Sequence, residues 1–257
     1  MSAGAEDVRA IRREPPAFRR VAVVRAIDLS PHLRRITFGG PELEGLEVTQ
    51  PAASVRLLLP STGATELVMP RWSGNEFLLP DDLRPLIRTF TPRLLRTDPW
   101  ELDLDIVLHG DEGASGWALS CGQGDPAAIS GTGRGYDIDP TADPLHLFGD
   151  EAAIPAIGQL IEWSDVPIRA AIEVARPDAR IDLPGIVSWH DLAPGDAPGT
   201  ALVAAVASAS IGERARVWAA GEAAAMHRIR TLLAERGIER RRATVRGYWK
   251  QGRAGPG

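Results

Sequence analysis

The chain has 257 residues, 44% hydrophobic and 25% charged, with a formal net charge of −5. This balance describes a soluble protein of two modest domains rather than a disordered or fibrous chain, and the acidic excess argues against general nucleic-acid binding, which needs a broad positive surface. Cys121 is the single cysteine, which excludes an internal disulfide and a cluster held by four thiolates.

In chain order, the first twenty residues carry five arginines without the apolar centre of a secretory signal. No apolar run reaches membrane-spanning length, so a cytoplasmic protein without membrane insertion is expected, and a monomer. Residues 20–27 and 33–38 read as a hairpin about a turn at Asp28-Leu29-Ser30-Pro31. Short strands at 54–59, 66–69, 88–93 and 101–108 continue the pattern, the last alternating acidic and apolar residues as a half-buried strand should. Such spacing predicts a small antiparallel barrel over residues 15–140. From a linker near 139–144 the grammar changes. Strands at 145–148, 168–174 and 217–219 alternate with helices at 151–163, 201–209 and 222–236, which predicts a parallel-sheet α/β domain over 141–257. Met226, Ile229, Leu232 and Leu233 are expected to face inward.

The stretch Arg88-Thr89-Phe90-Thr91-Pro92-Arg93 packs an aromatic ring, two hydroxyls and two guanidinium groups into six residues. Arg88 or Arg93 can grip phosphate oxygens, Phe90 offers a flat face to a tricyclic ring, and Thr91 can place a hydroxyl beside it. An ordinary barrel strand accounts for the six residues equally well. Residues 109–118 put a glycine-containing turn between a strand and a short helix, where exposed amides suit a pyrophosphate; Ser115 is suited to cap that helix or to bond a phosphate. Gly149-Asp150-Glu151 opens a helix after a buried strand, the place where open parallel sheets bind ligands, yet lacks a full G-x-G-x-x-G. No nucleophile, acid–base pair or zinc-ligand spacing stands out, as redox work by an organic cofactor would allow.

These stretches, with Val217-Trp218-Ala219-Ala220-Gly221-Glu222 and Gly247-Tyr248-Trp249-Lys250-Gln251-Gly252, follow one another in the order and approximate spacing of a known family. The chain resembles the siderophore-interacting proteins, flavin-dependent ferric-siderophore reductases of the ferredoxin-reductase superfamily. The resemblance implies FAD held by Arg88, Thr89, Phe90, Thr91, Arg93 and His109, with its diphosphate at Gly113, Ala114 and Ser115. Phe90 and Thr91 would then be the catalytic contacts. It implies a nicotinamide nucleotide bordered by Gly149, Asp150, Glu151, Gly221 and Glu222, with Trp249 shielding the flavin. Arg134, Arg246, Lys250 and Arg253 are basic candidates for docking an anionic ferric siderophore or the extra phosphate of NADP. Electrons would come from NAD(P)H or from a ferredoxin. Phe90 stands where the family usually has tyrosine, and the segment Gly113-Trp117 is one residue short, lacking a proline; both imply a more loosely held flavin. A general flavin reductase and a chelate-binding module without enzymatic activity are the alternatives.

Overall fold

The computed structural model describes residues 18–61, 63–72, 77–78 and 85–252. Among the described residues, nine strands form the N-terminal half: β1 (Phe18–Ser30), β2 (Leu33–Gly39), β3 (Val55–Leu59), the small β4 (Arg71–Trp72) and β5 (Phe77–Leu78), β6 (Leu86–Phe90), β7 (Pro92–Thr97), β8 (Trp100–Val107) and β9 (Pro126–Ser130). Helix α1 (Gly113–Ser120) lies between β8 and β9. Apart from the separate β4–β5 pair, the strands form one antiparallel sheet in the order β6-β3-β9-β1-β2-β8-β7. Its two edge strands are consecutive in the chain and meet at Thr91, so the sheet curls until a single residue links its margins. The expected strand over 88–93 is thus two strands. Pro92, which has no amide to give a ladder, takes the first position of the second strand.

Three further expectations are corrected here. Strand β1 runs on through Asp28-Leu29-Ser30, because Asp28 lies opposite Arg34 on β2 and accepts two guanidinium hydrogen bonds at 2.6 and 3.1 Å; the turn falls at Pro31-His32. Residues 66–69 join no sheet. The acidic face of β8 is not solvated: Glu101, Asp103 and Asp105 are all buried, roofed by Arg25 and Arg96, by Arg96, and by Arg35, from β1, β7 and β2. Burial pushes the Asp103 carboxyl up, but hydrogen bonds from Arg96 and Thr37 hold it below the usual carboxylate range.

The C-terminal half is a parallel sheet, β10 (Leu145–Gly149), β11 (Ile168–Val174), β12 (Val187–Asp191), β13 (Arg216–Glu222) and β14 (Ala243–Trp249), ordered β12-β11-β10-β13-β14. Helix α2 (Ile154–Glu162) covers one face; α3 (Thr200–Ser208) and α4 (Ala223–Glu235) cover the other. Ile154, Ile157 and Leu160 on α2, and Met226, Ile229 and Leu233 on α4, are buried as their spacing predicts, each side chain contributing roughly 1.5–3 kcal/mol. Leu232 stays at the margin of that core. Both halves of the expected two-domain architecture are present.

The halves interlock around one side chain. Gln159 of α2 is 1% exposed; its Nε2 donates to the Pro92 and Arg93 carbonyls at 2.6 and 3.2 Å, and its Oε1 accepts from the Ala52 amide at 3.0 Å. Ala52, a non-glycine residue at φ 53°, is gripped from the other side by Arg246 of β14 through its carbonyl. A left-handed alanine costs about 1–2 kcal/mol, offset here because both of its peptide groups are bonded across the interface.

Candidate functional site at the domain seam

The Thr91 corner faces the C-terminal ends of the parallel strands. Thr91 is buried, and its hydroxyl lies beside the Tyr248 phenol of β14. Phe90 packs partly against the barrel core. Arg88, two residues earlier and on the same face of β6, is half-buried and donates to the Ile87 carbonyl at 2.7 Å, while Thr89 points outward into solvent. Arg93 is diverted from the phosphate role: its guanidinium makes a two-pronged pair with Glu162 of α2 at 2.5 and 2.9 Å, joining the domains instead.

Helix α1 packs against β6 and β8. The loop before it is shaped by two internal constraints. The Ser115 hydroxyl accepts from the His109 amide at 3.0 Å and donates to the Gly110 carbonyl at 2.6 Å, so this buried side chain braces the turn and neither caps the helix nor reaches out to a phosphate. A Cβ on Gly116 would stand 2.0 Å from the Asp111 carbonyl oxygen, so only glycine lets the chain fold back so closely. Gly113 takes a left-handed φ of 59°. The helix then begins with no side-chain cap, leaving the Gly113, Ala114 and Ser115 amides pointing along the positive end of the helix dipole. The exposed ring of His109 stands at the start of this loop.

Across the seam the pattern is reversed. The turn into α2 is capped by Asp150, whose carboxylate accepts from the Ala152 amide at 3.0 Å, the Glu222 amide at 2.8 Å and the Trp249 indole at 2.8 Å. Burial nevertheless pushes the Asp150 carboxyl up to about 7. The start of α4 is capped by Glu222 through the Ala225 amide at 2.9 Å, and that of α3 by Glu173 through the Gly199 and Leu202 amides at 2.6 and 2.9 Å. Glu151 accepts from the Ala175 amide at 2.7 Å. Gly149 and Gly221 serve packing: a Cβ on the first would stand 2.5 Å from Ala153, and on the second 2.4 Å from the Asp150 carboxylate. The residues expected to border a nucleotide's phosphates therefore fill the helix starts with the chain's own carboxylates.

Two family models cover the two halves: residues 22–135 match the siderophore-interacting FAD-binding domain, and residues 142–252 the siderophore-interacting protein. A solved siderophore utilization protein from T. fusca is 30% identical, superposes with a TM-score of 0.82, and aligns over 94% of this chain and 95% of its own.

This chain belongs to the siderophore-interacting protein family.

Ferric vibriobactin reductase ViuB of Vibrio cholerae is 31% identical over 54% of this chain and 51% of its own length, and the NADPH-dependent ferric-chelate reductase of Escherichia coli 30% identical over 56% of each. Reductase structures at 12–16% identity, with TM-scores of 0.61–0.65, share the fold.

In this siderophore-interacting protein the basic candidates divide. Arg246 donates to the Gly135 carbonyl at 2.8 Å and to Ala52 at 3.4 Å; it is a bracket between domains, which corrects its assignment to a chelate-docking rim. Arg134 is solvated and pairs with Asp137 at 3.5 Å, Lys250 is exposed directly after β14, and Arg253 lies outside the described residues. Trp249 is 39% exposed and tied by its indole to Asp150, while the neighbouring Tyr248 meets Trp218 edge-on at 6.3 Å. The sequence reading missed Gln159 and Glu173. Both are lone polar residues in apolar surroundings, Gln159 on the inward face of α2 and Glu173 in the Ala-Ala-Ile-Glu-Val strand, and that isolation is the signal of a buried polar group with a structural bond to make.

Proposed function

We propose that this protein reduces ferric siderophores with FAD as its cofactor, the ring lying against Phe90 and Thr91 and the diphosphate at the start of α1. One observation carries the placement. Of the helix starts around the seam, those of α3, α4 and the turn into α2 already hold carboxylates, whereas α1 begins without a side-chain cap beside β6. A dinucleotide's phosphates are drawn to unfilled amides at a helix N-terminus. Arg88 adds charge on the same side, and the Thr91 hydroxyl, beside the Tyr248 phenol, is the donor that would serve the ring's edge. When bound, FAD supplies the redox chemistry, accepting a hydride's two electrons and releasing them singly. Hard catecholate or hydroxamate oxygens match ferric iron, and reduction to the ferrous state removes much of that match, so iron leaves. The reductase activities for which the Vibrio and Escherichia relatives are named support this substrate class. Electrons come from NAD(P)H or from a ferredoxin.

An anaerobic assay tests the reading: purified protein, FAD, NADH, NADPH or a reduced ferredoxin, and several ferric chelates, with a ferrous trap as readout. Trapped ferrous iron that depends on both protein and FAD is expected. A protein that binds ferric chelate but neither retains FAD nor releases iron would replace the reductase by a binding module.

A further inference from the structure

On the face of the parallel sheet covered by α3, remote from the flavin-side edge, lies a cleft of about 220 Å³. That is below the roughly 300–1,000 Å³ of sites for drug-sized molecules and suits a small ion with a few waters. His146 and Phe148 of β10, Arg169 of β11, Ser188 and His190 of β12, and Ser208 and Ser210 at the end of α3 line it, and no carboxylate does. In a chain with net charge −5, this lining carries one guanidinium and no acid. Among the described residues no acid pairs with Arg169. A second guanidinium, Arg236, stands behind the cleft, donating to the Val206 and Ala209 carbonyls at 2.6 Å each and thereby neutralising the negative end of α3.

His146 sets the selectivity. It is 3% exposed and stacked on Phe148 at 5.9 Å; the Ser210 backbone lies beside the ring, and Nε2 has no partner. A buried polar nitrogen without a partner is destabilising, a loss that a suitable ligand recovers. Burial and the nearby Arg169 and Arg236 hold the imidazole below its ordinary value, hence neutral, so Nε2 is an acceptor. The missing partner is therefore a donor, while the rim of Arg169 and serine hydroxyls calls for an anion.

We propose that this cleft is a site for inorganic hydrogen phosphate, whose P–OH donates to His146 Nε2 while its anionic oxygens accept from Arg169 and the serine hydroxyls. Entry requires the exposed rim side chains to turn aside, since Nε2 is sealed from water. Sulfate has the same shape but no proton at neutral pH, and a phosphate monoester is largely unprotonated there as well. Each would turn a bare oxygen toward the nitrogen lone pair.

The test is calorimetric titration of the full chain with inorganic phosphate, sulfate and phenyl phosphate at matched ionic strength, independent of flavin content. Phosphate should bind at least about tenfold more tightly than sulfate or phenyl phosphate. Arg169→Gln, a change at an exposed position, should weaken phosphate binding about tenfold. His146→Phe should erase the preference for phosphate over sulfate. Equal binding of the three anions, absence of phosphate binding, or an unchanged affinity in Arg169→Gln would each overturn the proposal. Should His146→Phe fail to fold, the wild-type selectivity and Arg169→Gln still decide it.

Discussion

Asp150→Asn is the most informative perturbation, because the wild-type carboxyl gives stability a pH dependence that the variant lacks. Burial moves this group from 3.8 to about 7. The unfolded chain therefore gives up the proton near 3.8, while the folded chain keeps it until about 7. Between those values the folded state binds more protons, so stability falls as pH rises through the window and levels off above it. The shift of about 3 units, at about 1.4 kcal/mol each, is worth roughly 4 kcal/mol in all. Some two-thirds of it, roughly 3 kcal/mol, falls between about pH 5 and about pH 8. The asparagine side chain would also turn an NH₂ toward one of the three donors now facing Asp150, a loss of about 1–3 kcal/mol that does not vary with pH. Denaturant unfolding of both proteins at about pH 5 and about pH 8 separates the effects. Histidines and exposed carboxylates titrate alike in both and cancel, leaving the wild type to lose roughly 3 kcal/mol relative to the variant as pH is raised. Parallel pH profiles would refute the reasoning: the three N–H donors would then hold Asp150 ionised throughout, burial notwithstanding.

Other perturbations follow from the same geometry. On the proposed placement Arg88 is a charge-assisted partner of the flavin phosphates, so Arg88→Ala should weaken FAD retention by about tenfold or more, read from flavin absorbance of the purified protein; unchanged occupancy would remove Arg88 from the site. Gly116→Ala drives a methyl into the Asp111 carbonyl, costing about 1–3 kcal/mol and loosening the α1 turn, so FAD affinity should fall further than for an alanine placed at the unobstructed Gly122. Gln159→Leu strands the Ala52 amide and the Pro92 carbonyl inside the interface, a loss of roughly 2–5 kcal/mol in denaturant unfolding; a loss under about 1 kcal/mol would show that the interface relaxes around the gap.

The architecture was legible because two grammars share the chain: closely spaced strands broken by turn residues, then strands alternating with amphipathic helices. What escaped was bonding that depends on distant residues. The alternation of β8 predicts a half-buried strand, but arginines on three other strands close over its acids, and cross-strand pairing is invisible in a local pattern. The short β12 and the β6–β7 break at Thr91 have the same origin, since both exist through their sheet neighbours. Among site residues, the arginine-threonine stretch and the Gly113–Ser115 turn fall on either side of one contact between α1 and β6. Arg93, Arg246 and Ser115 have the right chemistry for a ligand, but their polar groups are consumed by Glu162, by barrel carbonyls and by the α1 loop. Residue type announces what a group can bond, not which partner reaches it first.

The competition between partners explains how the seam is organised. A helix start attracts negative charge whether that charge belongs to a ligand or to the chain, and a carboxylate built into the fold is present at far higher effective concentration than any solute. Asp150, Glu173 and Glu222 each hold such a start; any phosphate arriving there must displace an internal cap and leave a buried acid without its donors. At α1 the loop residue with a suitable hydroxyl, Ser115, has turned inward to brace the chain, and the amides stay open. On the proposed placement, this directs the anionic part of the cofactor to the barrel side of the seam. The α/β domain contributes by a different route, presenting Tyr248 and Trp249 on a strand whose end is anchored through Asp150 and whose middle is bracketed to the barrel through Arg246.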